Sequence, residues 1–160
     1  MCTAASCCWR RARIFRPTAI PSPDRRECRG KLAHLRIVDR YPGARIILAH
    51  GGGFLPYASH RFVELAHVFR PDAANPADML TSFQRFYFDT PLSSGPAALQ
   101  SLQAFAGSGH ILFGSDFPYT PAGIAASFSV KLDAYDGLTA DEHRAISHGN
   151  VWALFPHLTA

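Results

Sequence analysis

The chain has 160 residues, 48% of them hydrophobic, with a formal charge of +4. That is enough apolar material for one globular domain, and it argues against bulk disorder. No apolar run approaches the roughly 20 residues that a membrane-spanning helix requires, and the amino terminus lacks the apolar core of a secretory signal, so the expectation is a soluble, cytoplasmic protein.

The positive charge is unevenly placed. Residues 1–31 hold eight Lys/Arg against Asp24 and Glu27, a net of +6, whereas the remaining 129 residues carry eight basic and ten acidic groups, a net of −2. A basic tail on a slightly acidic body argues against a nucleic-acid-binding domain, which carries its charge on a folded face. All four cysteines, Cys2, Cys7, Cys8 and Cys28, lie in this tail without a C-x-x-C pair. Free thiols are therefore expected rather than a structural zinc site. With Pro17, Pro21 and Pro23 and no apolar periodicity, residues 1–30 read as an irregular segment, and residues 31–160 as the domain.

From Lys31 the pattern becomes regular. Leu32, Leu35 and Val38 have helical spacing, Pro42-Gly43 marks a turn, and Arg45 to Ala49 reads as a strand. A helix is expected from Tyr57 to Phe69 with Phe62, Leu65, Ala66 and Phe69 inward, then a shorter one near Ala77 to Phe83. Arg85 to Thr90 is the second strand. Gly95-Pro96 opens a helix carrying Leu99, Leu102 and Phe105, and Gly107 closes it. Ile111 to Gly114 is the third strand, and a helix follows from Ala122 to Tyr135. Thr139-Ala-Asp-Glu142 has the capping-box pattern for a last helix, with a break expected at Gly149-Asn150 and resumption through Val151 to Phe155.

Strands alternating with helices, without hairpin signals, imply parallel pairing and an α/β fold, either a doubly wound sheet or part of a (β/α) barrel. In both, chemistry gathers at the carboxyl ends of the strands. His50, Asp89 and Asp116 fall there. His50 is a candidate for metal binding or proton transfer, or else a capped imidazole; Asp116 is a candidate ligand, or else a loop cap. Asp89, before Thr90-Pro91, has the composition of a turn. His50-Gly-Gly-Gly53 also fits an esterase oxyanion loop, but the chain contains no G-x-S-x-G nucleophile elbow. No G-x-G-x-x-G, Walker-type or H-E-x-x-H motif occurs.

The set Ile47-Leu-Ala-His50-Gly-Gly-Gly-Phe-Leu-Pro56, Arg61, Arg70-Pro71-Asp72, Tyr87-Phe-Asp89-Thr90, Gly114-Ser-Asp116-Phe-Pro118 and Gly149-Asn150 resembles the amidohydrolase-related family. Within it, the set is similar to the aminocarboxymuconate-semialdehyde decarboxylase-like metal enzymes, including the 66-residue separation of His50 and Asp116. The resemblance covers residues 31–160 and implies the carboxyl-terminal portion of a (β/α)8 TIM-type barrel, with the strands of His50, Asp89 and Asp116 as the sixth, seventh and eighth. It implies a divalent metal, usually zinc, with Asp116 as a ligand and His50 as the base beside it. It implies that Arg61 and Arg70 grip the carboxylate of a small substrate, Arg61 reaching a neighbouring subunit.

The family's His-x-His pair on the first strand and its histidine on the fifth have no counterpart here. The expectation is thus a carboxyl-terminal fragment of a metal-dependent carboxy-lyase or hydrolase, inactive alone. Its open sheet edges would favour self-association or docking on a full-length homologue.

Overall fold

The computed structural model describes residues 41–69 and 75–159. The basic tail, the helix expected at Leu32 to Val38, and Arg70 lie outside the described residues.

Three strands, β1 (Ile47–Leu48), β2 (Tyr87–Asp89) and β3 (Ile111–Leu112), form one sheet in the order β1-β2-β3. Both pairings are parallel, with Ile47 opposite Tyr87, Leu48 opposite Phe88, Phe88 opposite Ile111 and Asp89 opposite Leu112. The strands are shorter than their apolar runs because ladder pairing is confined to the residues where neighbours overlap. Arg45, at the head of the first run, is exposed.

Leu48, Phe88 and Ile111 lie side by side across the sheet and are all buried. The crossover helices α1 (Leu55–Phe69), α2 (Pro76–Gln84) and α3 (Pro96–Ala106) cover them, with Leu55, Val63, Ala66, Met79, Phe83, Leu99 and Leu102 in the same core. Phe105 meets Phe88 edge to face at 6.0 Å. Each fully buried side chain of this size contributes about 1.5–3 kcal/mol. Beside this core, Tyr87 stacks on the His110 ring at 4.7 Å, while His110 Nδ1 pairs with the Phe86 carbonyl at 2.9 Å.

The helix boundaries follow local chemistry. Asn75 accepts the Ala77 N–H at 2.9 Å ahead of Pro76, a side-chain cap followed by a residue that needs no donor. Gly107, at φ 72, ends α3 in a conformation that costs a side chain strain. In α1 the buried face is Leu55, Ser59, Val63 and Ala66, while Leu65 and Phe69 are exposed. Of the expected inward face, Ala66 is buried and Phe62 packs against the core, whereas Leu65 and Phe69 point outward, and the helix begins earlier, at Leu55.

The expected break at Gly149-Asn150 does not occur. Helix α4 (Ala122–Asp133) is followed by α5 (Ala140–Arg144), a π turn (Ala145–Gly149) and α6 (Asn150–Leu154). Gly149 keeps helical angles, φ −60 and ψ −44. The Asn150 N–H pairs with Ala145 O, which leaves the Ile146 carbonyl to accept the Phe113 N–H from the end of β3 at 2.9 Å. Asn150 Nδ2 then donates to Ser108 O at 2.7 Å and Ile111 O at 2.8 Å. The widened turn thus fastens the last helix to β3. Among the described residues no helix is long and apolar enough to cross a membrane.

Replacing Asn150 with Ala removes both side-chain bonds, while Ser108 O keeps the Ile111 N–H, and an expected loss of about 1–2 kcal/mol in urea denaturation follows; a loss below about 0.5 kcal/mol would show that the fastening is dispensable.

The capping box at α5 is present, with Glu142 N–H donating to Thr139 Oγ1 at 3.3 Å and Thr139 N–H to Glu142 Oε2 at 2.9 Å. The Thr139 backbone N–H, followed by its hydroxyl, lowers the Glu142 pKa from 4.5. The folded value lies below the unfolded one, so this stabilisation is complete above the ordinary glutamate range and is lost as pH falls through the lowered value. In a carboxyl carbon NMR titration, Glu142 is expected to have its midpoint below 4.5 and to move upward in Thr139→Ala. A native midpoint at or above 4.5 would contradict the box.

Candidate active site

Because the strands run parallel, their carboxyl ends share one rim of the sheet. His50 stands two residues past β1, Asp89 ends β2, and Asp116 stands four residues past β3. Two of the three have left-handed backbones, His50 at φ 57 and Asp116 at φ 56. Each costs a non-glycine residue about 1–2 kcal/mol, and such residues persist where the surroundings over-determine them.

The surroundings do so here. The His50 N–H donates to Asp89 Oδ1 at 2.5 Å, and Ser93 Oγ donates to the His50 carbonyl at 2.9 Å. After His50 the chain turns through Gly51, Gly52 and Gly53, all at positive φ. At Gly52, a Cβ would lie 2.8 Å from the Phe88 ring, so the turn sits on the core only as glycine. His50 Nδ1 is buried and has no hydrogen-bond partner among the described residues. A buried ring nitrogen left unpaired costs about 1–3 kcal/mol and calls for an explanation.

Asp116 is held differently. Its Oδ2 accepts the Thr120 hydroxyl at 2.8 Å, and its carbonyl accepts the Thr120 N–H at 2.9 Å. The loop leading to it is tied to β2, since Gly114 N–H donates to Thr90 Oγ1 at 3.2 Å and Thr90 is fully buried. A Cβ on Gly114 would meet Pro91 at 2.9 Å. The Asp89-Thr90-Pro91 segment thus does more than its turn composition indicates. Asp89 reaches the loop after β1, and Thr90 reaches the loop after β3.

The structure brings His50 and Asp116 to the same rim but not Arg61. Arg61 lies on the exposed side of α1, opposite Ser59, Val63 and the core. Arg70 is outside the described residues. The amides of Gly52 and Gly53 turn inward to the carbonyls of Ala49 and His50, at 3.1 and 3.0 Å, so the glycine run does not present them to an oxyanion. Among the described residues no three His, Cys, Asp or Glu side chains gather as a metal cluster. Other histidines among the described residues lie elsewhere: His60 and His67 are exposed on α1, His143 Nε2 pairs with Tyr135 O at 2.9 Å, and His148 packs on Trp152 at 4.7 Å. Sequence reasoning missed Ser93 and Thr120. Only the four-residue spacing of Asp116 and Thr120, right for a local side-chain bond, offered a signal.

Residues 22–156 match the family model described as Amidohydrolase. The chain belongs to the amidohydrolase family. A 6-methylsalicylic acid decarboxylase of Penicillium expansum is 40% identical over 123 residues, covering 76% of this chain and 38% of the relative. A second 6-methylsalicylic acid decarboxylase, from Aspergillus aculeatus, is 37% identical over 128 residues, covering 74% of this chain and 38% of its own length. The crystal structure of a dihydroxybenzoic acid decarboxylase from Polaromonas sp. JS666, with bound manganese and the inhibitor 2-nitroresorcinol, aligns with a TM-score of 0.61 and 26% identity, over 81% of this chain and 40% of that one. This amidohydrolase chain therefore spans well under half the length of the relatives it matches. Its three parallel strands and their helices correspond to part of a TIM-type barrel.

Gly52→Ala is expected to lower stability by about 2–4 kcal/mol, from the left-handed backbone together with overpacking on Phe88. Denaturation with unchanged midpoint would show that the His50 turn does not rest on the ring.

Proposed function

We propose that this chain carries the carboxyl-terminal part of the active site of a carboxy-lyase that acts on a small aromatic acid. The observation that carries the reading is the buried, unpartnered Nδ1 of His50 on the rim it shares with Asp116. The decarboxylase names of the relatives favour this chemistry over hydrolysis within the same family.

Loss of carbon dioxide from an aromatic acid breaks the bond between ring and carboxylate and leaves its electron pair on the ring carbon. A proton must be delivered there. An imidazole suits the task because it can take up and hand on a proton, and His50 is only half-buried, so part of it is open at the rim. The fixed backbone of His50 holds the ring without calling on substrate binding energy.

Asp116 is the proposed metal ligand, with Oδ2 oriented by Thr120 and Oδ1 left to reach a cation. A divalent metal held with further ligands would supply positive charge for the substrate carboxylate. The described residues do not fit such an ion by themselves, since catalytic zinc sites take about three protein ligands and this rim offers the Asp116 carboxylate and the His50 imidazole, the Asp89 carboxylate being engaged by the His50 N–H. The chain on its own is therefore inactive in this reading. Arg61 and Arg70 are the proposed carboxylate grips, a role that suits a guanidinium fork. The exposed position of Arg61 beside Tyr57, Leu65 and Val68 supports its acting toward a second copy or a full-length homologue.

The 160-residue chain is expected to release no carbon dioxide from 6-methylsalicylate and to show no tight one-to-one zinc or manganese binding by calorimetry; either activity would overturn the inactivity. Residues 41–160, exchanged for the matching part of the Penicillium expansum relative, are expected to give an active chimera. In it, His50→Gln should lower kcat by roughly 10²–10⁴-fold, and an unchanged kcat would remove His50 from the chemistry.

A further inference from the structure

The His50 backbone is held by more than its own stretch of chain. Three glycines follow it, and glycine accepts most backbone angles, so the sequence from His50 to Gly53 leaves the peptide free to swing. Yet His50 has a definite left-handed backbone and a ring nitrogen enclosed in the protein. Within the turn the Gly53 N–H holds the His50 carbonyl at 3.0 Å, but the His50 N–H is held only from outside it.

Both polar groups of the His50 backbone also meet side chains from the end of β2 and the loop that follows it. Asp89 Oδ1 accepts its N–H at 2.5 Å, a bond strengthened when the carboxylate is charged. Ser93 Oγ donates to its carbonyl at 2.9 Å, and a Cβ on Gly51 would lie 3.0 Å from the Ser93 side chain, so the turn also packs against it. Ser93 N–H in turn donates to Thr90 O at 3.0 Å, which closes the loop between the two holding residues. A grip on only one of the two peptide planes that flank His50 leaves rotation at its Cα, whereas grips on both leave little.

We infer that Asp89 and Ser93 are positioning residues whose joint hold on the His50 backbone aims its imidazole into the site. The inference rests on the reading of His50 as the proton-moving group, and its test separates the two. Asp89→Asn keeps an acceptor oxygen and should preserve the hold; Asp89→Ala and Ser93→Ala each remove one grip. In the full isotope-labelled chain, the amide-to-Hα NOE within His50, strong only at positive φ, should be strong in the native protein and in Asp89→Asn. It should weaken in Asp89→Ala and Ser93→Ala, with the Asn150 side-chain amide signals retained as evidence that the fold persists.

In the chimera, the two alanine variants should lower kcat roughly 10- to 100-fold with KM little changed, as a misaimed catalytic group does, and Asp89→Asn should restore most of the loss. If Asp89→Ala does not fold, Ser93→Ala alone decides. Alanine variants that keep the strong NOE and full kcat would overturn the inference. A weakened NOE in them, together with a fully active His50→Gln chimera, would leave the hold in place and overturn instead the role given to His50.

Discussion

The rim depends on two hydrogen bonds made by consecutive residues at the end of the central strand. Asp89 takes the His50 N–H from one side, and Thr90 takes the Gly114 N–H from the other. Without them the loops after β1 and β3 would be joined to the central strand through short ladders of two residues each and, at His50, through the Ser93 hydroxyl. Parallel strands this short define a direction but fix little beyond it. The central strand can do the fixing because Phe88, just before Asp89, is fully buried between Leu48 and Ile111. Packing holds the strand, and the strand holds both loops.

This arrangement accounts for the strained backbones at His50 and Asp116. A left-handed histidine or aspartate is a cost that a free loop would shed. His50 is gripped by Asp89 and Ser93, and Asp116 by the side chain and backbone of Thr120, itself 8% exposed. The same residues that store the strain present the imidazole and the carboxylate on one rim. The far side of β3 is secured separately, by Asn150 and by the Ile146 carbonyl that the π turn releases.

Features governed by near neighbours in the sequence were legible. The start of α3 at Pro96, its end at Gly107 and the Thr139 capping box follow from local backbone chemistry and appear where the spacing puts them. The rim positions of His50 and Asp116 were legible too, because strand direction alone decides them. What depended on contacts across the sheet was not. Asp89 has the composition of a turn and no local sign that its carboxylate reaches 39 residues back. Gly149 looks like a breaker, but bonds from β3 to Ile146 and Asn150 carry the helix through it. On α1, Phe62 and Ala66 meet the core as expected, but Leu55 and Val63 complete that face in place of Leu65 and Phe69.

The central claim is that His50 and Asp116 belong to one site, of which this chain holds one part. Paramagnetic line broadening detects even weak manganese binding and reports where the ion resides. Titrated into the isotope-labelled chain, manganese is expected to broaden residues 50–53, 89–93 and 114–120 together, ahead of the rest. Broadening centred on the exposed imidazoles of His60, His67, His148 or His157, with the rim signals unaffected, would contradict the account.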